Sequence, residues 1–386
     1  MLFRSWLDRP VFSFWPRFTI YHLIVSLILI TAVLSRFIML GERTMSHDET
    51  NHVVPAYDFY QGTGYLYDPV THGPLQFHLI ALSYTLFGDS DFSARVPDAV
   101  FGIAVIVFAI FAFKRYIGRL GGLIAGFLFT ISPYISFYSR YTRNEIYIVF
   151  WGMALLWGVL RYLELGKKRT LIFITIITAL HFCDKATSYI FTAELLIFLA
   201  LIFGIRLLSK TWNKENLKLL FIITVGITIV AGLAAFALGY TALTNTTETD
   251  SDIGVMLNAM PAATRIEIGA AGVVAIAGLI TAGTLLVKGV GWKGIRDERT
   301  FDLLILQGTF VLPLLAALPM AIIGLNPLDY SNPGILNALM FLVPLFVISV
   351  LIGLWWNGKV WLINTGIFWA IFILFYTTLF THGVGF

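Results

Sequence analysis

The chain has 386 residues, of which 58% are hydrophobic and only 12% are charged. Soluble globular domains carry about 25% charged residues, so the composition excludes a soluble protein and indicates one whose surroundings are mostly lipid. The formal net charge of +4 does not indicate nucleic-acid binding, because the basic residues sort between loops on the two sides of a membrane instead of forming one patch.

Apolar segments bounded by charges predict a polytopic, all-α bundle of about 11 membrane-spanning helices in one domain over residues 1–386. The segment 18–40 is long enough to span a bilayer and no small-residue cleavage site follows it, so we expect a retained first helix. The predicted spans are 18–40, 96–116, 120–138, 146–163, 171–182, 188–208, 219–242, 266–287, 301–325, 334–356 and 360–380.

The charges of the loops predict the orientation of these spans. If the amino terminus is cytoplasmic, most of the 26 lysines and arginines fall in inner loops, as the positive-inside rule requires. The apolar segment 74–87 is too short to span, and counting it as a span would reverse every later loop. We therefore expect residues 41–95 to form a long first extracytoplasmic loop that carries short helices along the membrane interface.

The first candidate site residues are Asp48 and Glu49, which follow the first span in this long loop. Long loops in compact proteins tend to be functional, and two adjacent carboxylates suit acid–base chemistry. A structural interpretation stays open, in which the pair caps a short helix and Ser46 or Asp48 accepts its free amide hydrogens.

Further polar residues follow in the later outer loops. A carboxylate can take a proton from an acceptor, while arginine and lysine can hold a phosphate leaving group, so these residues predict transfer from a phosphate-linked donor. Interfacial anchoring of the arginines and a local ion pair at the helix end remain as alternatives. The residues are Arg140, Arg143 and Glu145 in the second outer loop, and Asp184 and Lys185 at the end of the fifth predicted span.

Three histidines, His47, His52 and His72, share the first loop with Asp48. Metalloprotease spacing (HExxH) is absent, so we expect contacts with the acceptor or donor and no tightly bound metal. A divalent cation such as Mg²⁺ or Mn²⁺, held weakly between Asp48 and a donor phosphate, is the remaining cation role. No cofactor is expected to be required.

Five sequence elements, in this order, resemble the GT-C superfamily of polyprenyl-phosphate-sugar-dependent glycosyltransferases, nearest the protein O-mannosyltransferase and lipid A aminoarabinose transferase group. In that group an acidic pair follows the first helix, an HPPL-like element follows in the loop, and an RLP-like element opens the second span. Here Gly73 replaces the first proline and Val96 the leucine. The motifs are Asp48-Glu49, the segment 72–75 (HGPL), the segment 93–97 (SARVP) and the blocks 131–145 and 184–187.

The resemblance covers roughly the first 200 residues and implies an inverting transfer on the extracytoplasmic face of the cytoplasmic membrane. A polyprenyl-phosphate-linked sugar would be the donor and a protein or glycolipid the acceptor. By this resemblance Asp48 is the general base, supported by Glu49, and Glu145 is a second acid. Arg140, Arg143 and Lys185 would hold the donor phosphate, and Asp184 would be a contact residue.

Three alternatives remain open from the residues. A non-enzymatic scaffold or assembly partner would leave the outer carboxylates without a purpose. A secondary transporter also carries charges near its spans, but it typically shows repeat symmetry and helices broken near the midplane. A ligase or polymerase of lipid-linked glycans would share the donor chemistry and differ in the acceptor. The chain stops soon after a span that is predicted to exit outward, so an outer soluble portion beyond residue 386 is also an open expectation.

Overall fold

The computed structural model describes residues 6–63, 72–244, 261–327, 329 and 331–381. Within these ranges the protein is α-helical, apart from a short antiparallel hairpin of β1 (Pro10–Phe12) and β2 (Trp15–Thr19). The all-α class predicted from the sequence is confirmed.

The described ranges hold 15 helices. In chain order they are α1 (Ile20–Phe37), α2 (His47–Tyr60), α3 (Leu75–Phe87), α4 (Asp91–Phe111), α5 (Lys114–Ile131), α6 (Pro133–Tyr138), α7 (Glu145–Leu165), α8 (Lys168–Asp184), α9 (Ser188–Leu208), α10 (Glu215–Thr244), α11 (Ala262–Gly289), α12 (Trp292–Arg296), α13 (Arg299–Leu314), α14 (Ala317–Ile322) and α15 (Asn332–Tyr376).

Seven of the described helices are long and apolar enough to cross a bilayer: α1, α4, α7, α9, α10, α11 and α15. The predicted span 120–138 is interrupted, since α5 ends at Ile131 and Pro133 begins the separate helix α6. Span 301–325 is likewise divided, because α13 ends one residue after Pro313. Proline supplies no amide hydrogen to a helix, so a hydrophobic segment can read as one span and fold as two helices.

Two other predictions concern helix lengths. The expected span 171–182 lies in the 17-residue helix α8, and the last two expected spans form the 45-residue α15 with a non-helical break at Asn357. The short segment 74–87 folds as the 13-residue helix α3. This length is too short for a membrane span, as the sequence predicts.

Internal contacts divide the chain into two compact units. The first comprises Met1–Phe191 with Asn364–Phe386, and the second comprises Thr192–Ile363. No linker marks the division, because α9 and α15 each run from one unit into the other. The single domain expected over residues 1–386 stays a prediction.

The first unit holds a core in which α1 and α5 pack on α4. Its buried residues include Val25, Ile28, Ile106, Ile110 and Leu123. In the second unit α10 and α11 lie side by side, and a separate cluster includes Leu207, Phe221, Ala282, Leu286 and Ile295.

Two arginines of the first unit stabilise the carboxyl ends of helices. Arg36, which is fully buried in α1, donates to the carbonyl oxygens of Phe129 and Thr130 in the last turn of α5, at 3.0 and 2.9 Å. Arg140 donates to the carbonyl oxygen of Ser35 in the last turn of α1 at 2.6 Å. A cation favours this end of a helix, where carbonyl groups lack helical partners.

Glycine at position 122 is required by the close approach of α5 to α4. A Cβ at this position would lie 2.8 Å from the backbone oxygen of Ile110, so the helices would have to separate. We expect Gly122→Ala to lower the free energy of unfolding by about 1–3 kcal/mol, measured by denaturant titration in detergent micelles. Gly226→Ala in α10 is the control, because a Cβ there meets nothing within 4 Å. Equal stability of the two variants would contradict the packing.

Candidate active site

The first turn of α2 presents the acidic pair, and its local sequence explains why the helix begins there. Ser46 is the N-cap: its hydroxyl accepts from the amide of Glu49, and the Glu49 carboxylate accepts from the amide of Ser46 at 3.0 Å. This capping box satisfies two of the free amides of the first turn. It turns Glu49 inward, while Asp48 remains exposed, with 53% of its side chain accessible. The two neighbouring carboxylates therefore have opposite environments.

Glu49 is completely buried and forms an ion pair with the equally buried Arg95 of α4. Arg95 donates to both carboxylate oxygens, through Nε to Oε1 at 2.8 Å and through Nη2 to Oε2 at 3.1 Å. Arg43 adds a bond to Oε2 at 2.7 Å, and the backbone amide of Thr142 adds one to Oε1 at 3.2 Å. Such a carboxylate has little capacity left to contact a substrate directly. The supporting role expected for Glu49 stays a prediction.

Arg95 also fixes the chain that leads into α2. Its Nη1 donates to the carbonyl oxygens of Leu40 and Arg43 at 3.0 and 2.8 Å. The second loop is attached nearby, since the Tyr141 hydroxyl lies 2.8 Å from the Ser46 hydroxyl. The Glu49–Arg95 pair thus joins the loop after α1, the start of α2, α4 and the loop before α7.

The hydrogen bonds of Glu49 determine its protonation. Burial on its own raises the pKa of this carboxyl, but the Arg95 side chain and the amides of Ser46 and Thr142 outweigh burial and hold the pKa below its ordinary value. A carboxyl whose pKa is lower in the folded than in the unfolded state stabilises the fold at pH values above the unfolded-state pKa. This stabilisation is lost as the pH falls through the folded-state pKa.

Asp48 begins a chain of alternating charges that continues through three more of the predicted residues. The Arg143 guanidinium donates to Asp48 Oδ2 at 2.9 Å and lies 3.6 Å from Glu145 Oε2. The Lys185 ammonium donates to the other Glu145 oxygen at 2.9 Å. The lysine and glutamate are only 14% and 16% exposed, so these charges face each other in a partly desolvated environment.

The carboxyl end of α8 forms the wall beside this cluster. Asp184 is buried and accepts from the Asn144 amide group, at 2.7 Å to its side chain and 3.0 Å to its carbonyl oxygen. The Gly73 amide donates to the same carbonyl oxygen at 2.8 Å. A Cβ at Gly73 would collide with the backbone of Cys183, so a proline here would lack both room and an N–H. This explains the departure from the HPPL-like element.

His52 and His72 lie against each other beside the cluster, with ring centroids 6.0 Å apart. His52 is buried in α2. Burial, followed by the nearby His72 and Arg143, lowers the pKa of His52 to about 4. Burial and the charges of Lys185 and Arg143 also lower the pKa of His72. Both rings are therefore neutral at pH 7 and can accept or donate a hydrogen bond without adding charge.

The structure does not gather all the predicted site residues in one place. Arg140 bonds to the end of α1, whereas Arg143 faces the cluster. His47 is exposed at the first position of α2, and Asp184 is buried behind Asn144. The predicted residues that interact with one another are Asp48, His52, His72, Arg143, Glu145 and Lys185.

Sequence analysis missed Asp98, a fully buried carboxyl two turns into α4. It lies beside the Tyr147 hydroxyl and the backbone amide of Arg143, under the loop that presents Arg143. A carboxyl inside an apolar span is itself a signal of function or of a buried polar partner. Asp98 follows directly after the RVP motif at the beginning of the predicted span. A carboxyl at that position can be interpreted as a residue of the membrane interface.

No group of three or more His, Cys, Asp or Glu side chains in the described ranges is arranged to hold a metal ion. In α2, His52 is buried and both His47 and Asp48 are exposed. A weakly held cation that needs a donor phosphate as a further ligand stays a prediction.

The fold and the site describe a membrane protein with carboxylates and basic groups assembled where helices end. Residues 71–236 match the sequence profile of a family described as dolichyl-phosphate-mannose-protein mannosyltransferase. A polyprenol-phosphate-mannose–protein mannosyltransferase from Corynebacterium glutamicum is 31% identical over an alignment of 166 residues, which covers 38% of this chain and 31% of that relative. The resemblance inferred from the motifs is thereby confirmed.

The chain spans about a third of the length of this curated relative. No solved structure matches the chain. The match to the family profile begins just before the HGPL motif and ends within α10. It contains Arg95, Arg143, Glu145 and Lys185 and leaves out Asp48.

The buried ion pair leads to a stability prediction. We expect Arg95→Met to lower the free energy of unfolding by about 3–5 kcal/mol, because it leaves the Glu49 carboxylate buried and without its main partner. Denaturant titration in micelles measures this. Arg115→Met is the control, since Arg115 pairs with Glu164 at the surface and should show no measurable change. An Arg95→Met variant as stable as this control would contradict the central role of the pair.

The lowered pKa of His52 predicts a pH dependence. The unfolded imidazole binds a proton below about pH 6.5, whereas the folded one does so only near pH 4. The melting temperature should therefore fall as the pH is lowered from 6.5 to 4, and His52→Phe should flatten this fall. His47→Gln at an exposed position should leave it unchanged. A melting profile of His52→Phe identical to that of the wild type would contradict the buried, neutral state.

Proposed function

We propose that this chain is a membrane-embedded, inverting glycosyltransferase that moves a mannosyl group from a polyprenyl-phosphate donor to a protein. The observation that carries the proposal is the charge chain from Asp48 through Arg143 and Glu145 to Lys185, within contact of two neutral histidines. The match of residues 71–236 to a mannosyltransferase family, and the donor and acceptor in the name of the Corynebacterium relative, support the sugar, donor and acceptor.

Asp48 acts as the general base in this proposal. It is the carboxylate of the cluster that is exposed at a helix start, so an acceptor hydroxyl can reach it. The hydroxyl oxygen attacks the anomeric carbon while its proton passes to Asp48, and the bond from that carbon to the phosphate oxygen breaks. Direct displacement requires the base and the leaving phosphate on opposite faces of the sugar, which gives inversion.

Arg143 and Lys185 receive the leaving polyprenyl phosphate. Both cations are partly buried and are held by carboxylates, so each is oriented before the donor arrives. A phosphate oxygen can take over the N–H that Arg143 donates to Asp48, since arginine pairs with phosphate through two N–H groups at once. Binding of the donor then frees Asp48 to accept a proton. Glu145 keeps the two cations in place.

Glu49 and Arg95 serve as positioning residues in this scheme. Their buried pair fixes both the turn that carries Asp48 and the loop that carries Arg143. The base and the phosphate site are thus held at a defined separation, which a displacement reaction requires.

The site faces the extracytoplasmic side in this proposal, with the amino terminus in the cytoplasm. The distribution of lysine and arginine between the loops supports this orientation. The same chemistry would serve a ligase or polymerase of lipid-linked glycans, so the identity of the labelled acceptor decides between these activities.

Transfer of label from a radiolabelled polyprenyl-phosphate mannose to membrane proteins tests the proposal. We expect Asp48→Asn to lower the transfer rate by about 10²- to 10⁴-fold, the usual contribution of a general base, while the melting temperature changes little. Asp58→Asn on the same helix is the matched control, because Asp58 is exposed and lies outside the cluster.

Equal labelling by the wild type and Asp48→Asn would reject Asp48 as the base. Label that appears only in glycolipid would replace the protein acceptor by a lipid-linked one. Wild-type protein that binds the donor without any transfer would reject the enzyme assignment for this chain.

A further inference from the structure

A groove outside the charge chain runs along the end of α1. Two adjoining cavities, of about 330 and 410 Å³, share Met39 and Arg140 in their linings. Leu34 and Ile38 line one cavity and Phe137 lines the other. We call this the α1 groove. Its walls are mostly apolar, with three serine or threonine side chains among them, and the Arg140 guanidinium is the charge shared by both cavities.

Two guanidinium groups beside the groove carry positive charge without a carboxylate partner. Within the described ranges neither Arg36 nor Arg140 takes part in an ion pair, and both donate to backbone carbonyls or a hydroxyl. Arg36 is fully buried and its Nε has no hydrogen-bond partner in these ranges. Two such charges repel each other in a medium of low dielectric constant, so an anion at this place stabilises both.

Arg140 has the capacity to bind that anion. A guanidinium has five N–H groups, and two of its nitrogens use bonds to Ser35 and Met39. The carbonyl bonds hold the side chain against α1, so the remaining N–H groups are fixed at the groove. Arg43, which also lines it, is already bonded to Glu49.

The surface that continues from the groove matches a hydrocarbon chain. Leu34, Ile38 and Met39 are each at least half exposed, and so are Leu27 and Ile30 farther along α1. A ligand here would place an acidic head on Arg140 and an apolar tail along this face. Those two features together describe a lipid with a phosphate head group.

We propose that the α1 groove binds an anionic phospholipid of the surrounding bilayer, with its phosphate on Arg140. A bilayer phospholipid fits better than the donor for two reasons. The groove follows the exposed face of α1, where abundant bilayer lipids fill a site by mass action. Arg140 is also bonded to α1, apart from the Asp48–Arg143 pair at which the donor would react. The bound lipid compensates the charge at the ends of α1 and α5.

The test uses the purified full chain in micelles, with native mass spectrometry to count bound lipid. Phosphatidylglycerol should bind at least roughly tenfold more tightly than phosphatidylcholine, and it should raise the melting temperature. Arg140→Gln should abolish this preference, as expected for the loss of a charge-assisted contact. Arg169→Gln, at an exposed arginine at the start of α8, should retain it.

Arg140→Gln also weakens the end of α1, so a second variant guards against misfolding. Leu34→Trp fills the groove from a half-exposed position and leaves Arg140 in place, and it should lower phosphatidylglycerol binding to a similar extent. Retention of the preference by both variants would overturn the proposal.

Displacement of phosphatidylglycerol by polyprenyl phosphate, one molecule for one, would assign the groove to the donor and overturn the phospholipid as its occupant. Lys185→Met separates this site from the proposed activity. It should lose sugar transfer and keep phosphatidylglycerol binding. Failure of transfer in the wild type, with binding intact, would count against the proposed function alone.

Discussion

The buried pair of Glu49 and Arg95 is the constraint on which the candidate site depends. A guanidinium and a carboxylate removed from water are costly unless nearly every donor and acceptor is satisfied. Here the carboxylate accepts from Arg43, Arg95 and two backbone amides. Arg95 also donates to backbone carbonyl oxygens of the loop that precedes α2. Satisfying one buried pair therefore fixes the geometry of two loops and one helix start.

Asp48, which lies next to the buried Glu49 in the sequence, is exposed. Asp48 and Glu49 are adjacent in sequence, but the capping box directs one inward and leaves the other at the surface. Asp48 then meets Arg143, whose loop is itself held by Glu49 through Thr142. Two carboxylates that are adjacent in the sequence thus differ completely in exposure, and the general-base role is proposed for the exposed one.

Arginines serve three different purposes in the first unit, and burial separates them. Arg95 is buried with a carboxylate, Arg36 is buried with carbonyl oxygens and a hydroxyl, and Arg143 is partly exposed between two carboxylates. The second case is the unusual one, because helix carbonyls carry only partial negative charge. The proposed lipid phosphate therefore binds near Arg36 and Arg140, and the proposed substrate phosphate binds at Arg143.

The sequence by itself determined the all-α class, the short helix α3, the acidic pair and the resemblance to a mannosyltransferase family, because hydropathy, helix capping and motif order are local properties. Only the tertiary structure decided that Glu49 is buried against Arg95, that Asp98 lies under the Arg143 loop, and that Arg140 contacts α1. These contacts join residues about 46 to 105 positions apart. Which residues become partners depends on which charged groups are buried together in the fold. Neither periodicity nor spacing along the chain encodes that choice.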